Sequence, residues 1–201
     1  SRTSGTLPHT ALPPSVPSPL RPFVASHMNS RAVISRLGLL VVLLSIIMWA
    51  MCAVFFATEW ALQHEVDVSA RMALLMSGGL GLVVGGVGWL ATRKSEAYLG
   101  RREAMLLVAA SWLIGAAFAA LPFYLWGTGV DGGHAFGSYV DCYFEATSGL
   151  TTTGATILPN IESVPDSLLL WRSMTHWLGG LGIVVLFVAV LARALDPPSA
   201  V

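Results

Sequence analysis

The chain has 201 residues, of which 55% are hydrophobic and 11% are charged, and its mean hydropathy is +0.70. Charged residues are too scarce for the surface of an ordinary soluble domain, so this composition indicates an integral membrane protein. The formal net charge of +0 gives no support for a nucleic-acid partner, and we expect the lipid bilayer to surround most of the chain.

The first 27 residues differ in composition from the rest of the chain. They hold six prolines among serines and threonines, and such a segment buries too little apolar surface to offset the entropy lost on ordering. We expect residues 1–27 to be a disordered or mis-assigned extension, because Met28 begins a segment typical of a membrane-protein start. A signal peptide is the alternative for residues 28–57, but their apolar run is too long for one, so an uncleaved span is predicted.

Four apolar segments have about the 20 residues that a helix needs to cross a hydrocarbon core of about 30 Å. They are residues 37–57, 72–91, 104–126 and 168–192. The last contains Arg172 and His176, so its helix is expected to begin outside the core or to face protein. The predicted fold class is therefore all-α integral membrane.

Basic residues lie before the first segment and between the second and third, at Arg31, Arg36, Arg93, Lys94, Arg101 and Arg102. The positive-inside rule predicts a multi-pass topology with these regions and the N-terminus in the cytoplasm. Residues 127–166 are then external, and they contain five acidic residues but no Lys or Arg. An acidic mouth would concentrate cations, although the exclusion of basic residues from external loops explains the same composition without transport.

The connection between the third and fourth segments is long enough to require an element of its own. The stretch SYVDCYFEATSG, residues 138–149, has apolar residues near helical spacing, with Ser138 as the expected N-cap and Gly149 as the expected stop. A helix of about 11 residues is too short to span the membrane and suits a re-entrant half-helix. Non-helical backbone after it would have to be buried in protein or line a watery cavity.

The residues after this half-helix read TTTG and lie at its C-terminal end, which carries a partial negative charge. Gly154 can adopt backbone angles that turn neighbouring carbonyls inward to replace the hydration shell of an ion. The candidate filter comprises Thr152, Thr153, Gly154, Ala155 and Thr156, with the carbonyls of Thr152, Thr153 and Gly154 as ligands for a potassium ion. No ionisable residue lies within 150–157, which favours a monovalent cation. The alternative is a loop that binds nothing, and TTTG alone favours that alternative.

Two charged residues are candidates for supporting the filter. Arg172 either pairs with an acidic residue such as Glu145 or Asp166, or extends to the membrane interface. Glu145 either accepts hydrogen bonds from backbone N–H groups behind the filter or faces solvent. Among the glycines, Gly81 and Gly85 are spaced for close helix packing, and residues 179–182 (GGLG) permit a close approach to the half-helix or provide a flexible point.

Three stretches together resemble the Trk/Ktr/HKT superfamily of potassium transporters, most closely the bacterial TrkH-type membrane subunit. They are DCYFEATSGLTTTGATIL (141–158), LLLWRSMTHWLGGLGIVVL (168–186) and RREAMLLVAASWLIGAAFAALPF (101–123). The resemblance implies two leading helices and then four helix/pore-helix/helix repeats around one pore, with residues 152–156 matching the filter of the first repeat. Glycine at position 154 implies potassium preference, with some sodium permeation possible.

The resemblance also implies a homodimer, a cytosolic nucleotide-binding regulatory subunit of TrkA type, and the bacterial inner membrane. It divides the chain into two leading helices (28–100), one repeat (101–195) and a truncated tail (196–201). One repeat cannot encircle an ion, so we expect a fragment, a truncated gene product or a piece that needs the missing repeats or a complementary chain, and we favour the fragment. A non-transporting membrane interaction module is the rival function. No enzyme is expected, because the spans lack a Ser/His pair, a HExxH motif and an aspartate dyad.

Overall fold

The computed structural model describes residues 30–62, 67–93, 100–130 and 134–195. The predicted disordered extension (1–27) and truncated tail (196–201) lie outside the described residues. The described chain forms five α-helices and two short 3-10 helices, Ala135–Gly137 and Ile161–Ser163. The α-helices are α1 (Ser30–Leu62), α2 (Val68–Thr92), α3 (Arg101–Gly127), α4 (Tyr139–Leu150) and α5 (Asp166–Leu195).

Four of these helices are long and apolar enough to cross a membrane, which confirms the four predicted spans. The qualifying stretches are Ser30–Ala57, Val68–Thr92, Arg102–Gly127 and Asp166–Val188. Helix α1 has 33 residues and is about 50 Å long, which exceeds a hydrocarbon core of about 30 Å. It must therefore tilt within the bilayer or extend beyond the core.

Helices α1 and α2 form an antiparallel pair that touches through small residues. A Cβ added at Gly85 would lie 2.7 Å from the carbonyl oxygen of Gly38, and one added at Gly81 would overlap the hydroxyl of Ser45. Since any larger side chain would separate the two backbones, the predicted role of Gly81 and Gly85 in close helix packing is confirmed. Helix α2 begins at an N-cap, Asp67, whose carboxylate accepts from the backbone N–H groups that open the helix.

Helices α3 and α5 run antiparallel on either side of the short helix α4. Pro122 lies inside α3 and has no N–H to donate to the carbonyl four residues earlier. Aromatic side chains of the flanking helices donate to carbonyls near this position. Tyr139 donates its hydroxyl to Ala117 O at 3.0 Å, and Trp171 donates Nε1–H to Ala119 O at 2.9 Å. These bonds supply external partners to the backbone of a proline-containing span.

Helix α4 is re-entrant, because it enters the helix bundle at one end, stops inside it, and is followed by a segment that returns toward the same end. Its last residue, Leu150, contacts Gly179 of α5 and lies near Gly115 of α3. Gly179 is 13 residues after Asp166 and Gly115 is 12 residues before Gly127, so both are about 20 Å from the end where α3 stops and α5 starts. The end of α4 therefore lies roughly halfway along the flanking spans.

Candidate functional site

The chain reverses direction at the end of α4 through two hydrogen bonds that form a Schellman motif. Thr151 is the C-cap of the helix. The N–H of Thr152 donates to Gly149 O at 2.8 Å, and the N–H of Thr153 donates to Ser148 O at 2.9 Å. These bonds satisfy the last helical carbonyls and direct the following residues back along α4. The candidate filter thus begins within the motif that ends the helix.

Two residues of the candidate filter have positive φ angles. Thr152 has φ +57° and Gly154 has φ +77°. Glycine adopts this region freely, whereas a β-branched residue there is unfavourable by about 1–2 kcal/mol. Successive residues of a regular strand face opposite sides, and positive φ at every second residue breaks that alternation. The local backbone can therefore turn neighbouring carbonyls toward one side.

Ser148 contacts the candidate filter on both sides of Gly154. Its carbonyl accepts from the N–H of Thr153 at 2.9 Å, and its hydroxyl donates to Ala155 O at 2.6 Å. A Cβ added at Gly154 would meet nothing within 4 Å. Gly154 therefore bridges two tethered residues and faces open space.

Glu145 links three parts of the site with one buried carboxylate. The side chain is 1% exposed, and its Oε1 accepts from Arg172 Nε of α5 at 2.5 Å. Its Oε2 accepts from the hydroxyl of Thr156 at 3.0 Å and from the N–H of Ile157 at 3.1 Å. The carboxylate thus joins α4 to the far end of the candidate filter and to α5. Its charge is paired and hydrogen-bonded.

The structure decides between the two interpretations of each supporting residue. Arg172 pairs with Glu145, and its side chain is 18% exposed, so it does not extend freely to the membrane interface. Glu145 binds a backbone N–H behind the candidate filter rather than facing solvent. Both contacts agree with the predicted supporting arrangement, while a role of these residues in ion selection stays a prediction.

The end of α4 packs directly on α5 through two glycines. A Cβ at Gly149 would overlap the Thr175 hydroxyl, and one at Gly179 would overlap the carbonyl of Leu150. The predicted helix stop at Gly149 is therefore wrong by one residue, because the helix continues to Leu150 and this glycine serves the contact with α5. The predicted close approach of the GGLG stretch to the half-helix is confirmed at Gly179.

The five residues of the candidate filter are brought together and differ in what they contact. Residues 151–156 are all exposed. Ala155 directs its carbonyl, and Thr156 its hydroxyl, toward α4. The side chain of Thr153 lies 2.8 Å from Thr151, hydroxyl to hydroxyl. Thr152 and Thr153 are bound to α4 through their backbone N–H groups, and Ala155 and Thr156 through a carbonyl and a hydroxyl.

Sequence reasoning missed two residues of this site, Ser148 and Thr175. The Thr175 hydroxyl donates to Arg172 O at 2.6 Å and its side chain is 1% exposed where it faces Gly149. A polar residue one turn after Arg172 on the same helix face was the available signal for Thr175. Ser148 carried only the weaker signal of lying one turn after Glu145 on α4.

Spans that flank a re-entrant helix, followed by an exposed non-helical segment with positive φ angles, define a pore-loop type of membrane protein. Within the described ranges, no three His, Cys, Asp or Glu side chains cluster as a metal site would require. His176 Nδ1 instead lies 2.9 Å from Arg172 O. The chemistry available at the candidate filter is therefore that of backbone carbonyls and threonine hydroxyls.

Known proteins are similar to this chain in sequence and in fold. The family described as TrkH, cation transport protein, matches residues 70–200. The Trk system potassium uptake protein TrkH of Escherichia coli K12 is 34% identical over 166 residues, covering 82% of this chain and 31% of the relative. The uncharacterized cation transporter MJ1485 of Methanocaldococcus jannaschii is 46% identical over 90 residues, covering 45% of this chain and 18% of the relative.

A solved structure is also similar to this chain. The crystal structure of the potassium transporter TrkH from Vibrio parahaemolyticus matches with a TM-score of 0.68 and 30% identity, covering 82% of this chain and 32% of that chain. The chain therefore belongs to the TrkH family of cation transport proteins. It spans less than a third of the length of these relatives.

Proposed function

We propose that this chain supplies the first of four pore-loop repeats in the membrane subunit of a Trk-type potassium uptake system. The observation that carries the proposal is the backbone of residues 152–154, where positive φ at Thr152 and Gly154 occurs on an exposed segment at the end of a re-entrant helix. The carbonyls of Thr152, Thr153 and Gly154 are the proposed ligands of a potassium ion. They would replace its water as the ion leaves solution.

The surroundings of the segment favour a monovalent cation. The buried carboxylate of Glu145 is already paired with Arg172, so it offers little net charge to an ion in the pore. The C-terminal end of α4 contributes only a partial negative charge. A weakly charged site made of carbonyls lets an ion enter and leave, whereas a ring of carboxylates would retain a divalent ion.

One repeat presents one wall of a pore, so the proposed activity requires the other repeats or a complementary chain. By analogy with the family, we propose a homodimeric subunit in the bacterial inner membrane with a cytosolic nucleotide-binding regulatory partner. The basic residues Arg31, Arg93 and Arg102 lie at the start of α1, the end of α2 and the start of α3. Since these termini lie at the same end of the helix bundle, we propose that this end and the N-terminus are cytoplasmic.

A hybrid subunit tests the proposal. The 166-residue segment of this chain that matches E. coli TrkH replaces its counterpart in that protein, and the hybrid is expressed in an E. coli strain without potassium uptake. We expect growth at low potassium to be restored. A hybrid that reaches the membrane in the amounts of E. coli TrkH, yet restores no growth, would contradict the proposal.

The substitution Gly154→Ser in this hybrid tests the filter itself. The space around Gly154 accepts a side chain, but φ +77° does not suit one, so the backbone must change. We expect potassium uptake to fall and sodium entry to rise relative to potassium, as measured by ion flux. Gly137→Ser is the matched control, because a Cβ there also meets nothing within 4 Å and its φ is not positive. Unchanged uptake and ion preference in Gly154→Ser would remove this residue from the filter.

A further inference from the structure

Ser148 uses its hydroxyl differently from other serines in these helices. Ser45, Ser77 and Ser173 each donate to the carbonyl four residues earlier in their own helix, at 2.7–3.0 Å. This local bond is the usual choice of a serine inside a membrane helix. Ser148 instead donates to Ala155, seven residues later and outside the helix, at 2.6 Å. Its hydroxyl therefore holds the candidate filter rather than its own helix.

The two contacts of Ser148 act on peptide groups on either side of Gly154. The Ser148 carbonyl holds the N–H of Thr153, and the Ser148 hydroxyl holds the carbonyl of Ala155. Gly154 itself has open space on the side where a Cβ would lie. The orientation of the peptide groups at Gly154 therefore depends on the two anchored neighbours. Ser148 itself is 5% exposed, so these bonds are made from a buried side of the segment although Thr153 and Ala155 are exposed.

We propose that Ser148 is a positioning residue that fixes the carbonyls around Gly154 and thereby sets the discrimination between potassium and sodium. The inference rests on the proposed function, because it assigns a role within the same candidate filter. Carbonyls held at a set spacing favour the ion whose coordination distance fits them. When Ser148 loses its hydroxyl, Ala155 O is released and the segment can contract around a smaller ion.

The transport test uses the hybrid subunit with Ser148→Ala and Ser148→Thr. We expect Ser148→Ala to lower the ratio of potassium to sodium uptake by roughly 3- to 10-fold, the range that corresponds to the net free energy of one hydrogen bond. Ser148→Thr keeps a hydroxyl and should keep the parental ratio. Ser77→Ala is the matched control, since it removes a buried serine hydroxyl that bonds only within α2. A parental ratio in Ser148→Ala would overturn the inference, even if the amount of transporter fell.

A second measurement does not require transport. In the purified chain, hydrogen exchange of the backbone amides of residues 151–157 is compared between the parent, Ser148→Ala and Ser77→Ala. We expect hydrogen exchange in this segment to be several-fold faster in Ser148→Ala than in the parent, and unchanged in Ser77→Ala. Equal rates in all three proteins would overturn the inference. A hybrid that fails to transport, with exchange nonetheless accelerated by Ser148→Ala, would count against the proposed function and not against the role of Ser148 in holding the segment.

Discussion

Aromatic packing distinguishes the first end of the pore helix α4, and hydrogen bonds to the following segment distinguish its last two turns. Before its first turn, Phe136 is completely buried, with its ring centroid 4.9 Å from that of Phe123 and 6.4 Å from that of Trp126. In its last two turns, Glu145 and Ser148 bind the following segment through hydrogen bonds. Apolar packing is non-directional, whereas hydrogen bonds depend on angle. Aromatic packing at the first end therefore fixes where the helix lies. The hydrogen bonds near the second end fix the orientation of particular peptide groups.

The largest expected effect comes from breaking the ion pair at the second end. Glu145→Leu leaves Arg172 without its partner and removes the acceptor of Thr156 and Ile157. Breaking one side of a buried pair is destabilising by about 3–5 kcal/mol. We expect the purified chain in detergent to unfold at a clearly lower temperature, measured by the loss of monodisperse protein on heating.

A double variant and a surface control sharpen this prediction. Glu145→Leu combined with Arg172→Met removes both charges, so part of the lost stability should return. The return should be partial, because the N–H of Ile157 still lacks its acceptor. Glu162→Gln, at an exposed carboxylate in the turn before α5, should change little. Equal unfolding temperatures for Glu145→Leu and Glu162→Gln would show that the ion pair does not hold this end.

A smaller effect is expected at the glycine contact between α4 and α5. Gly179→Ala places a methyl group against the carbonyl of Leu150, which is backbone and cannot move without shifting the pore helix. Overpacking of this kind is destabilising by about 1–3 kcal/mol. The adjacent Gly180→Ala is the matched control, because its methyl group comes no closer than 3.9 Å to Thr152.

The two substitutions should therefore have different effects on the unfolding temperature. Alanine is a better helix former than glycine by about 1 kcal/mol, so Gly180→Ala should leave the unfolding temperature equal or raise it. Gly179→Ala should lower it, since the clash with Leu150 outweighs that gain. The unfolding temperature of the purified chain in detergent measures the effect of both substitutions. If both variants gain stability, the backbones of α4 and α5 are not in the close contact described here.

The sequence was sufficient to predict the elements of this fold and some of the contacts between them. Apolar runs predicted four spans, because a helix of fixed rise must match a bilayer of fixed thickness. The half-helix was predicted within one residue at each end, from apolar spacing and the N-cap position of Ser138. Helix ends depend on tertiary packing, and Gly149 lies against Thr175 inside a helix that continues to Leu150.

The candidate site was predictable where unusual chemistry marked it. Glu145 and Arg172 stood out because charges are expensive in apolar surroundings, and their bond joins residues 27 positions apart. The positive φ of Thr152 was not predictable, since threonine disfavours that region. The bond from Ser148 to Ala155 was missed because it exists only after the chain reverses, and the position of Ser148 one turn after Glu145 is a weak local signal.

The smallest expected effect lies at the first end of α4 and depends on pH. His134 Nδ1 accepts from the N–H of Phe136 at 3.1 Å, and its ring packs edge-on against Trp126 with centroids 4.8 Å apart. Burial lowers the pKa of His134 below its ordinary value of 6.5, because it disfavours the charged ring. The unfolded chain then binds this proton more readily than the folded one. The stability that His134 contributes is therefore fully present above pH 6.5 and is lost as the pH falls below it.

The substitution His134→Asn separates this titration from the hydrogen bond. An asparagine carbonyl can accept from the N–H two residues later, as Asn160 does from Glu162 at 3.1 Å, but it does not titrate in this range. We expect the parent to lose more stability than the variant between about pH 7.5 and pH 5.5, which bracket the ordinary histidine pKa. Unfolding temperatures at the two values measure the difference. If the two proteins lose equal stability, groups other than His134 carry the pH dependence.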